Sequence, residues 1–310
     1  MVLPEKIPKV SVCVITYNQE KYIRQCLQSI VDQKTDFDFE VIVGDDCSTD
    51  GTRAIVQEFA DRYPGIVKPI YQEKNIGRGC HNYLTVHRAA RGKYVAHVDG
   101  DDQCLPNKLS IQVAYLDGNS GCVAVVHKLA KCNSAGDLLS SVWPSSFSHK
   151  KYDLSKLVMS HCEFGHSSLM YRKDAFASLK YAELTEFIDF YIYVHLASQG
   201  EIGVVDQVLG KYTYQVGVSS THNLYELAIH ALVYARKVGL AEGIFHYSSA
   251  RQYLHFSKKA FVDGNDELFE KLILLSMKEK YISTQQAILY IFRKRLNFLK
   301  LLLVAYRALK

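Results

Sequence analysis

The chain has no paired cysteines, no long apolar run and no internal repeat, and each absence removes a class of protein. Its eight cysteines (Cys13, Cys26, Cys47, Cys80, Cys104, Cys122, Cys132 and Cys162) stand singly, without the C-x-x-C or C-x-H spacing of a zinc site. They read as reduced thiols packed as small hydrophobes rather than as a disulfide framework. The longest uninterrupted apolar run near the end, Leu301 to Tyr306, is far short of the roughly twenty residues that a bilayer crossing needs. Met1 to Lys9 carries charges and prolines, and the apolar run Val10 to Thr16 gives way at once to Asn18, Gln19 and Glu20, which is not the pattern of a secretory signal. A cytoplasmic chain is the expectation. No low-complexity stretch is present. No Gly-rich loop bearing Arg and Lys follows the first apolar run, which argues against a sugar nucleotidyltransferase.

Acidic residues are missing from one place in particular. From Lys280 to Lys310 there are seven basic side chains and no carboxylate, so positions 1 to 279 keep 30 of the 37 basic residues against all 32 acidic ones. The net charge of +5 therefore belongs to the tail, and the body is near neutral, with no nucleic-acid partner expected. With 310 residues, 48% of them hydrophobic, the chain can bury one large core and carry an appendage.

The first hundred residues alternate apolar runs with helical spacing, the signature of βαβ units and a mainly parallel sheet. Val10 to Thr16 reads as a buried strand. Ile23, Cys26, Leu27, Ile30 and Val31 then form one helical face. Strands are predicted at Phe39 to Val43, Val67 to Tyr71 and Tyr94 to Val98. Helices are predicted around Val56 to Tyr63, His81 to Ala90 and Leu109 to Leu116. Beyond these come an apolar strand at Cys122 to His127, a weakly patterned stretch from Cys132 to Met159 and a strand around Phe164 to Tyr171. A helix at Asp189 to Ser198 and a strand pair from Ile202 to Tyr214 follow. From Asn223 the pattern is almost wholly helical, which sets expected domains of 1–220 and 221–310.

Polar clusters follow three of the strands: Tyr17 to Glu20, Asp45 to Thr52, and Asp99 to Asp102. Loops leaving the carboxyl ends of parallel strands share one sheet edge, so one crevice could gather them. A carboxylate at the end of the second strand can accept the imide hydrogen of a pyrimidine, while Ser48, Thr49 or Asp50 caps the following helix. Capping leaves the Asp45-Asp46 pair unexplained. Asp99-Gly100-Asp101-Asp102 sets three carboxylates within four residues, where repulsion is costly unless a cation or solvent relieves it. Hard oxygen ligands of this kind suit Mg²⁺ or Mn²⁺; a solvated acidic turn is the plainer alternative. Arg78 could meet a phosphate or simply open a helix in solvent. His166 is a candidate acceptor contact or a structural histidine, and Trp143 and Tyr152 could stack on a sugar or pack in the core.

The motifs in this order resemble the family 2 glycosyltransferases. Val10 to Asn18 is similar to the family's opening strand and T-Y-N turn, and Val43 to Thr52 to its D-D-x-S-x-D-G-T segment. Asn75-Ile76-Gly77 and Gly92-Lys93-Tyr94 match its N-x-G and G-x-Y elements, and Asp99 to Asp102 with Pro106 and Leu109 its D-x-D-D signature. The resemblance is specific over about a hundred residues, weakens to about residue 217 and stops there. It implies a GT-A fold, Rossmann-like, with a mainly parallel sheet flanked by helices and a helical C-terminal extension. It implies a nucleotide pocket lined by Thr16, Tyr17, Asn18 and Glu20, with Asp46 on the base and Arg78 toward the phosphates. Asp101 would bind a Mn²⁺ or Mg²⁺ ion on the donor diphosphate, with Asp99 near the ribose or the metal. The family's general base, often written E-D before an aromatic and apolar run, falls on Asp189; Ile188 replaces the Glu, and Glu186 is the understudy on the acceptor side. Without the family, Asp189 is equally well a helix N-terminal carboxylate favoured by the macrodipole.

The implied activity is inverting transfer of a sugar from a nucleoside-diphosphate donor, UDP first, to a saccharide or lipid-linked saccharide acceptor. A phosphoacceptor receiver-like module and a nucleotide-sugar-binding protein without turnover are the alternatives. In the tail, Ile288, Phe292, Leu296, Leu299, Leu303 and Tyr306 form one helical stripe with Arg293, Lys294, Lys300 and Arg307 largely elsewhere. Such a helix could dock on an anionic membrane surface or pack on protein, a second copy of the chain included.

Overall fold

A computed structural model describes residues 6–75, 80–160, 163–177, 179, 189–214 and 224–295. They divide into two compact units, one up to Ser220 and one from Thr221. The first unit begins with the expected alternation: β1 (Val10–Thr16), α1 (Ile23–Val31), β2 (Phe39–Asp45), α2 (Thr52–Arg62), β3 (Val67–Tyr71), α3 (Cys80–Ala89) and β4 (Tyr94–Asp99). These strands lie side by side as β3-β2-β1-β4, all parallel. Side chains alternate between the two faces of a strand. Val10, Val12 and Val14 of β1 face the core shared with Ile23, Leu27 and Ile30 of α1 and with Val56 and Phe59 of α2. Cys13, one step out of phase, meets α3 through the Val86 carbonyl. The four fully buried apolar positions of α1, Ile23, Cys26, Leu27 and Ile30, repeat at helical spacing. Truncating Leu27 to Ala would cost about 2–5 kcal/mol by transfer and cavity terms.

The sheet continues as a mixed one. After β4 come β5 (Gln103–Cys104), α4 (Lys108–Gly118), β6 (Cys122–Cys132), β7 (Leu138–Trp143), β8 (Lys151–Tyr152), α5 (Leu154–Ser160), a short 3-10 turn (His166–Ser168), β9 (Met170–Arg172), α6 (Lys173–Ala177), α7 (Asp189–Gln199) and β10 (Glu201–Thr213). The full order is β3-β2-β1-β4-β9-β6-β10-β5, with β7 on β6 and β8 on β10. Strand β9 runs antiparallel between β4 and β6, while β6 and β10 are parallel to each other.

Two sequence expectations change here. The strand foreseen around Phe164 to Tyr171 shrinks to Met170–Arg172, because the Ser168 backbone N–H and hydroxyl both donate to the Gly165 carbonyl and wind His166–Ser168 into a turn. The strand pair foreseen at Ile202 to Tyr214 is one strand, parallel to β6 throughout. Asp206 and Gln207 are the extra residues of a bulge: Val205 pairs with His127 and Val208 with Lys128, the next residue along, and Lys128 ion-pairs with Asp206.

The second unit holds α8 (Leu224–Lys237), α9 (Glu242–Val262), α10 (Asp266–Glu279) and α11 (Thr284–Ile291). Leu254, Ala260, Phe261, Phe269 and Ile273 form its small core. Asn265 caps α10 by accepting from the Leu268 N–H, and Ser283 caps α11 by accepting from the Gln286 N–H. The apolar stripe expected to run unbroken from Ile288 is interrupted: α11 stops at Ile291, and the Tyr290 carbonyl is taken by both the backbone N–H and the guanidinium of Arg293. Leu296 to Tyr306 lie outside the described residues. Among the described residues no helix is long and apolar enough to cross a membrane.

Candidate active site

From β1 the chain moves outward to β2 and β3, then returns to β4 on the other side of β1. In an open α/β sheet, that reversal of direction opens a crevice at the strands' carboxyl ends. The register sets what lines it: Thr16 lies opposite Asp45, and Ile15 opposite Asp99. Neighbouring strands are about 4.8 Å apart, so the turns after β2 and β4 stand on either side of Thr16. The crevice thus brings together Thr16, Tyr17, Asn18, Glu20, Asp46, Asp99 and Asp101, all seven described residues that were expected to line a donor pocket.

Hydrogen bonds divide these residues by task. Asn18 takes a left-handed backbone with φ of 50°, and its side-chain oxygen accepts from the Thr49 N–H at 2.8 Å. Glu20 accepts from the Gly51 N–H at 2.8 Å, and Asp50 accepts from the Glu20 N–H. Asn18 and Glu20 therefore stitch the first loop to the second. Asp45, fully buried, accepts from the Ser48 N–H and is paired with Arg53, which accounts for one member of the Asp45-Asp46 pair. Asp46 follows with its backbone N–H held by the Thr16 carbonyl at 3.0 Å. Cys47, next in line, sits at φ of 64°, a conformation costly for a residue with a Cβ and the kind of strain found where a loop is shaped for a ligand.

The acid turn after β4 is packed tightly under the first loop. A Cβ on Gly100 would lie 2.4 Å from Gln19 Oε1 and 3.0 Å from both the Ile15 carbonyl and the Thr16 Cβ, so a larger residue would have to displace Gln19 and press on β1. Gln19 accepts from the Thr16 hydroxyl at 2.8 Å and hydrogen-bonds to Asp101, joining β1 to the acid turn. Asp102 is buried and accepts from the Thr213 N–H at 2.9 Å, while Thr213 donates its hydroxyl to the Asp101 carbonyl. Asp102 is thus a tie between β10 and the turn.

Charge is crowded here. Burial, then the charge of Asp99, pushes the Asp101 carboxyl up to about 7. Asp102 is raised by burial and by both neighbours. Burial raises Asp99 as well, but the hydrogen bond and charge of His97, the charge of His166 and the Ser167 hydroxyl outweigh it and hold Asp99 below the ordinary range. Asp189 opens α7 and is exposed to solvent. Desolvation and then the charge of Asp99 push it up to about 7. Tyr212, near the end of β10, is pushed up to about 12 by burial and by the same four acids, Asp102, Asp99, Asp101 and Asp189. Asp189 therefore lies near the acid turn.

Among the described residues no three His, Cys, Asp or Glu side chains converge as a protein-only metal cage. Asp99 and Asp101 fit a different arrangement, in which a divalent ion takes one or two carboxylates and fills its shell with phosphate oxygens and water. The repulsion that raises Asp101 is what such an ion would relieve.

The Glycosyl transferase family 2 model matches residues 11–178, more than half of the chain. The chain belongs to glycosyl transferase family 2. An uncharacterized protein of Mycobacterium tuberculosis is 36% identical over 204 residues, 65% of this chain and 58% of that protein, so the chain spans less than two thirds of that relative. An uncharacterized glycosyltransferase of Methanocaldococcus jannaschii is 30% identical over 210 residues, 66% of this chain and 70% of its own length. Among solved structures, Staphylococcus aureus TarS in complex with UDP-GlcNAc has a TM-score of 0.65 at 22% identity, covering 94% of this chain and 86% of that one. The Pyrobaculum calidifontis mannosyltransferase PcManGT, in complex with GDP-Man and Mn²⁺, has a TM-score of 0.55 at 18% identity, again covering 94% and 86%. These likenesses show a shared fold, a central sheet flanked by helices, and the family match sets aside the receiver-like alternative.

Within this family 2 frame, His166 is buried at 6% exposure with Tyr83 as a hydrogen-bond partner at 3.2 Å, so it belongs to the packing beneath the acid turn rather than to an open acceptor wall. Tyr152 is fully buried and hydrogen-bonded to Glu163; Trp143 is half-buried against Tyr212, with ring centroids 5.3 Å apart. Arg78, Glu186 and Ile188 lie outside the described residues. Sequence reasoning passed over Gln19, His97 and Tyr212. His97 had left a signal: it is the one charged-type side chain inside the apolar run of β4.

Proposed function

We propose that the chain catalyses inverting transfer of a sugar from a nucleoside-diphosphate donor, UDP-linked in the first instance, to a hydroxyl of a glycan or lipid-linked glycan. What supports this reading is the nearness of Asp189, at the start of α7, to Asp99, close enough for the charge of one to raise the other. In this reading the diphosphate lies over the turn after β4, the base moiety lies toward Asp46, and Thr16 with its Gln19 partner holds the turn in register. Asp101 and Asp99 would hold a Mn²⁺ or Mg²⁺ ion, whose positive charge would stabilise the leaving diphosphate. Asp189 accepts the proton of the incoming hydroxyl as that oxygen bonds to the sugar C1. The C1–O bond to the phosphate breaks in the same displacement, so the anomeric centre inverts and the nucleoside diphosphate leaves. A retaining double displacement would need a second carboxylate as nucleophile.

A carboxylate raised by the charge of another is well suited to the base's task. A pKa of about 7 makes Asp189 a stronger proton acceptor than an ordinary aspartate while leaving much of it ionised near neutrality. The name of one relative with 36% identity over 131 residues, the Staphylococcus aureus poly(ribitol-phosphate) beta-N-acetylglucosaminyltransferase TarS, supports trying UDP-GlcNAc first. The test is release of UDP from a panel of UDP-sugars with Mn²⁺ present, followed by NMR of the product's anomeric carbon. UDP release with inversion supports the reading. Donor binding without any release of UDP, with or without added saccharides, leaves a binding protein instead.

A further inference from the structure

Beneath Asp99 runs a line of buried side chains that the proposed reaction does not use. The Tyr171 hydroxyl is 2.6 Å from His87 Nδ1, His87 Nε2 is 3.0 Å from His97 Nδ1, and His97 Nε2 is 3.1 Å from Asp99 Oδ1. His87 is 3% exposed, while His97 and Tyr171 are fully buried. The four groups come from α3, β4 and β9, three elements that meet only in the folded sheet. The rings of the line are stacked as well as bonded, His87 on His97 with centroids 5.2 Å apart and His87 on Tyr171 at 5.9 Å, and Tyr83 lies on His87 at 3.8 Å.

Donors and acceptors can be assigned along the line. An ionised carboxylate only accepts, so the bond to Asp99 needs a hydrogen on His97 Nε2. His87 is held neutral, its pKa driven well down by burial and by the neighbouring His97 and His166, so it carries one N–H. With the Tyr171 O–H donating to His87 Nδ1, that N–H sits on Nε2 and points at His97 Nδ1. Every hydrogen then faces an acceptor, and all of them run toward Asp99. Ser167 completes the clamp from the other side: its hydroxyl oxygen accepts from the Asp99 backbone N–H at 2.9 Å.

We infer that His97, backed by His87 and Tyr171, is a positioning residue that fixes the rotamer of Asp99 so that its other oxygen, Oδ2, which the Ser167 hydroxyl meets at 3.4 Å, is presented to the metal-diphosphate of the donor. This rests on the donor site proposed above. An outer partner that orients a carboxylate is generally worth about 10–100-fold in metal affinity or activity. The work is done by a hydrogen bond, so a side chain that donates from the same place can replace the imidazole. Glutamine can, with its amide nitrogen near the Nε2 position, whereas leucine fills the volume and donates nothing.

The experiment compares wild type, His97→Leu and His97→Gln for UDP binding as a function of Mn²⁺ concentration, with kcat and donor KM measured separately. The expected result is that His97→Leu raises the Mn²⁺ concentration for half-maximal UDP binding and the donor KM by about 10–100-fold, with a smaller change in kcat, and that His97→Gln recovers most of the loss. Equal Mn²⁺ dependence in all three, or equal impairment of both variants, overturns the inference, because packing alone predicts no difference between leucine and glutamine. Independently of any ligand, ¹⁵N NMR of the histidine rings in the wild-type protein should find a proton on His97 Nε2; a His97 protonated on Nδ1 alone overturns it even if the variants fail to fold. Failure of the wild type to bind UDP and Mn²⁺ would instead count against the donor site, and the ring NMR would still decide the hydrogen-bond line.

Discussion

The two ends of the parallel sheet treat carboxylates in opposite ways. At the amino end, Glu40 is buried but answered: Ser11 donates to it at 2.7 Å, Arg91 pairs with it at 3.0 Å and Lys68 at 3.2 Å. Burial alone would raise it, yet those donors pull its pKa below the ordinary value. Asp117, near the same end, is held low by Lys9, Tyr94 and Lys93. At the carboxyl end, Asp99, Asp101 and Asp102 crowd together, and among the described residues Asp99 has the His97 ring at 3.1 Å rather than a Lys or Arg. The buried cation Lys108 donates instead to the Ser167 carbonyl at 2.7 Å. Desolvation, and after it the charge of Asp99, raises Asp101, Asp102 and Asp189. One end of the sheet spends its charges on holding the fold, and the other holds raised carboxyls, the kind of perturbation that clusters at functional sites.

The largest effect that would sharpen this contrast is at Asp189. Asp189→Asn removes the proton acceptor without changing shape, and kcat for transfer should fall by about 10²–10⁴-fold, with UDP and Mn²⁺ binding within a few-fold of wild type. Transfer at the wild-type rate would remove Asp189 from the reaction. Next is Asp101→Asn, expected to weaken Mn²⁺-dependent UDP binding by roughly 10–100-fold while raising the melting temperature in the absence of ligand. The sign follows from linkage. Asp101 has a folded pKa of about 7, above the unfolded value near 4, so the folded state holds an extra proton between those values and stability is lost as pH rises through that window. The amide carries no such penalty, and the gain in melting temperature should vanish toward pH 4.

Smaller in functional terms is Glu40→Gln, which should cost about 1–3 kcal/mol of stability at pH 7 and leave donor KM unchanged. Because the folded pKa of Glu40 is depressed, its contribution is present above the unfolded value and is lost as pH falls through the folded one. Equal stability of the variant at pH 7 would break the contrast from the amino-end side. The mildest effect is on the pH profile. Transfer should decline below about pH 7 as Asp189 takes up its proton, and saturating Mn²⁺ should move that decline to lower pH by screening the charge of Asp99.

How much of this could be seen before the structure follows from where each signal is stored. From β1 to β4, each strand is a local apolar run and each helix a local periodicity, so bounds such as Val67–Tyr71 are read directly from the residues. The carboxyl-end position of Asp46, Asp99 and Asp101 follows from the same local pattern. The insertion of β9 between β4 and β6 is a long-range pairing of three residues with no periodicity of their own. Asp206 and Gln207 look the same in sequence whether they turn a hairpin or bulge a strand; only the partner β6 decides. Gln19 and His97 were missed for a related reason. Their importance comes from what they touch, Asp101 in one case and Asp99 in the other, and a contact made by folding is not written next to either residue.

The central claim, that the crowded carboxyl end is built to take a cation together with a diphosphate, is tested most directly by melting the full chain with UDP alone, Mn²⁺ alone and both together. The account predicts a marked rise in melting temperature only with both, since a ligand that binds the native state stabilises it by mass action, and no such rise for Asp101→Asn. A wild-type chain whose melting temperature is unmoved by the combination, or an Asp101→Asn variant that responds as fully as wild type, would contradict it.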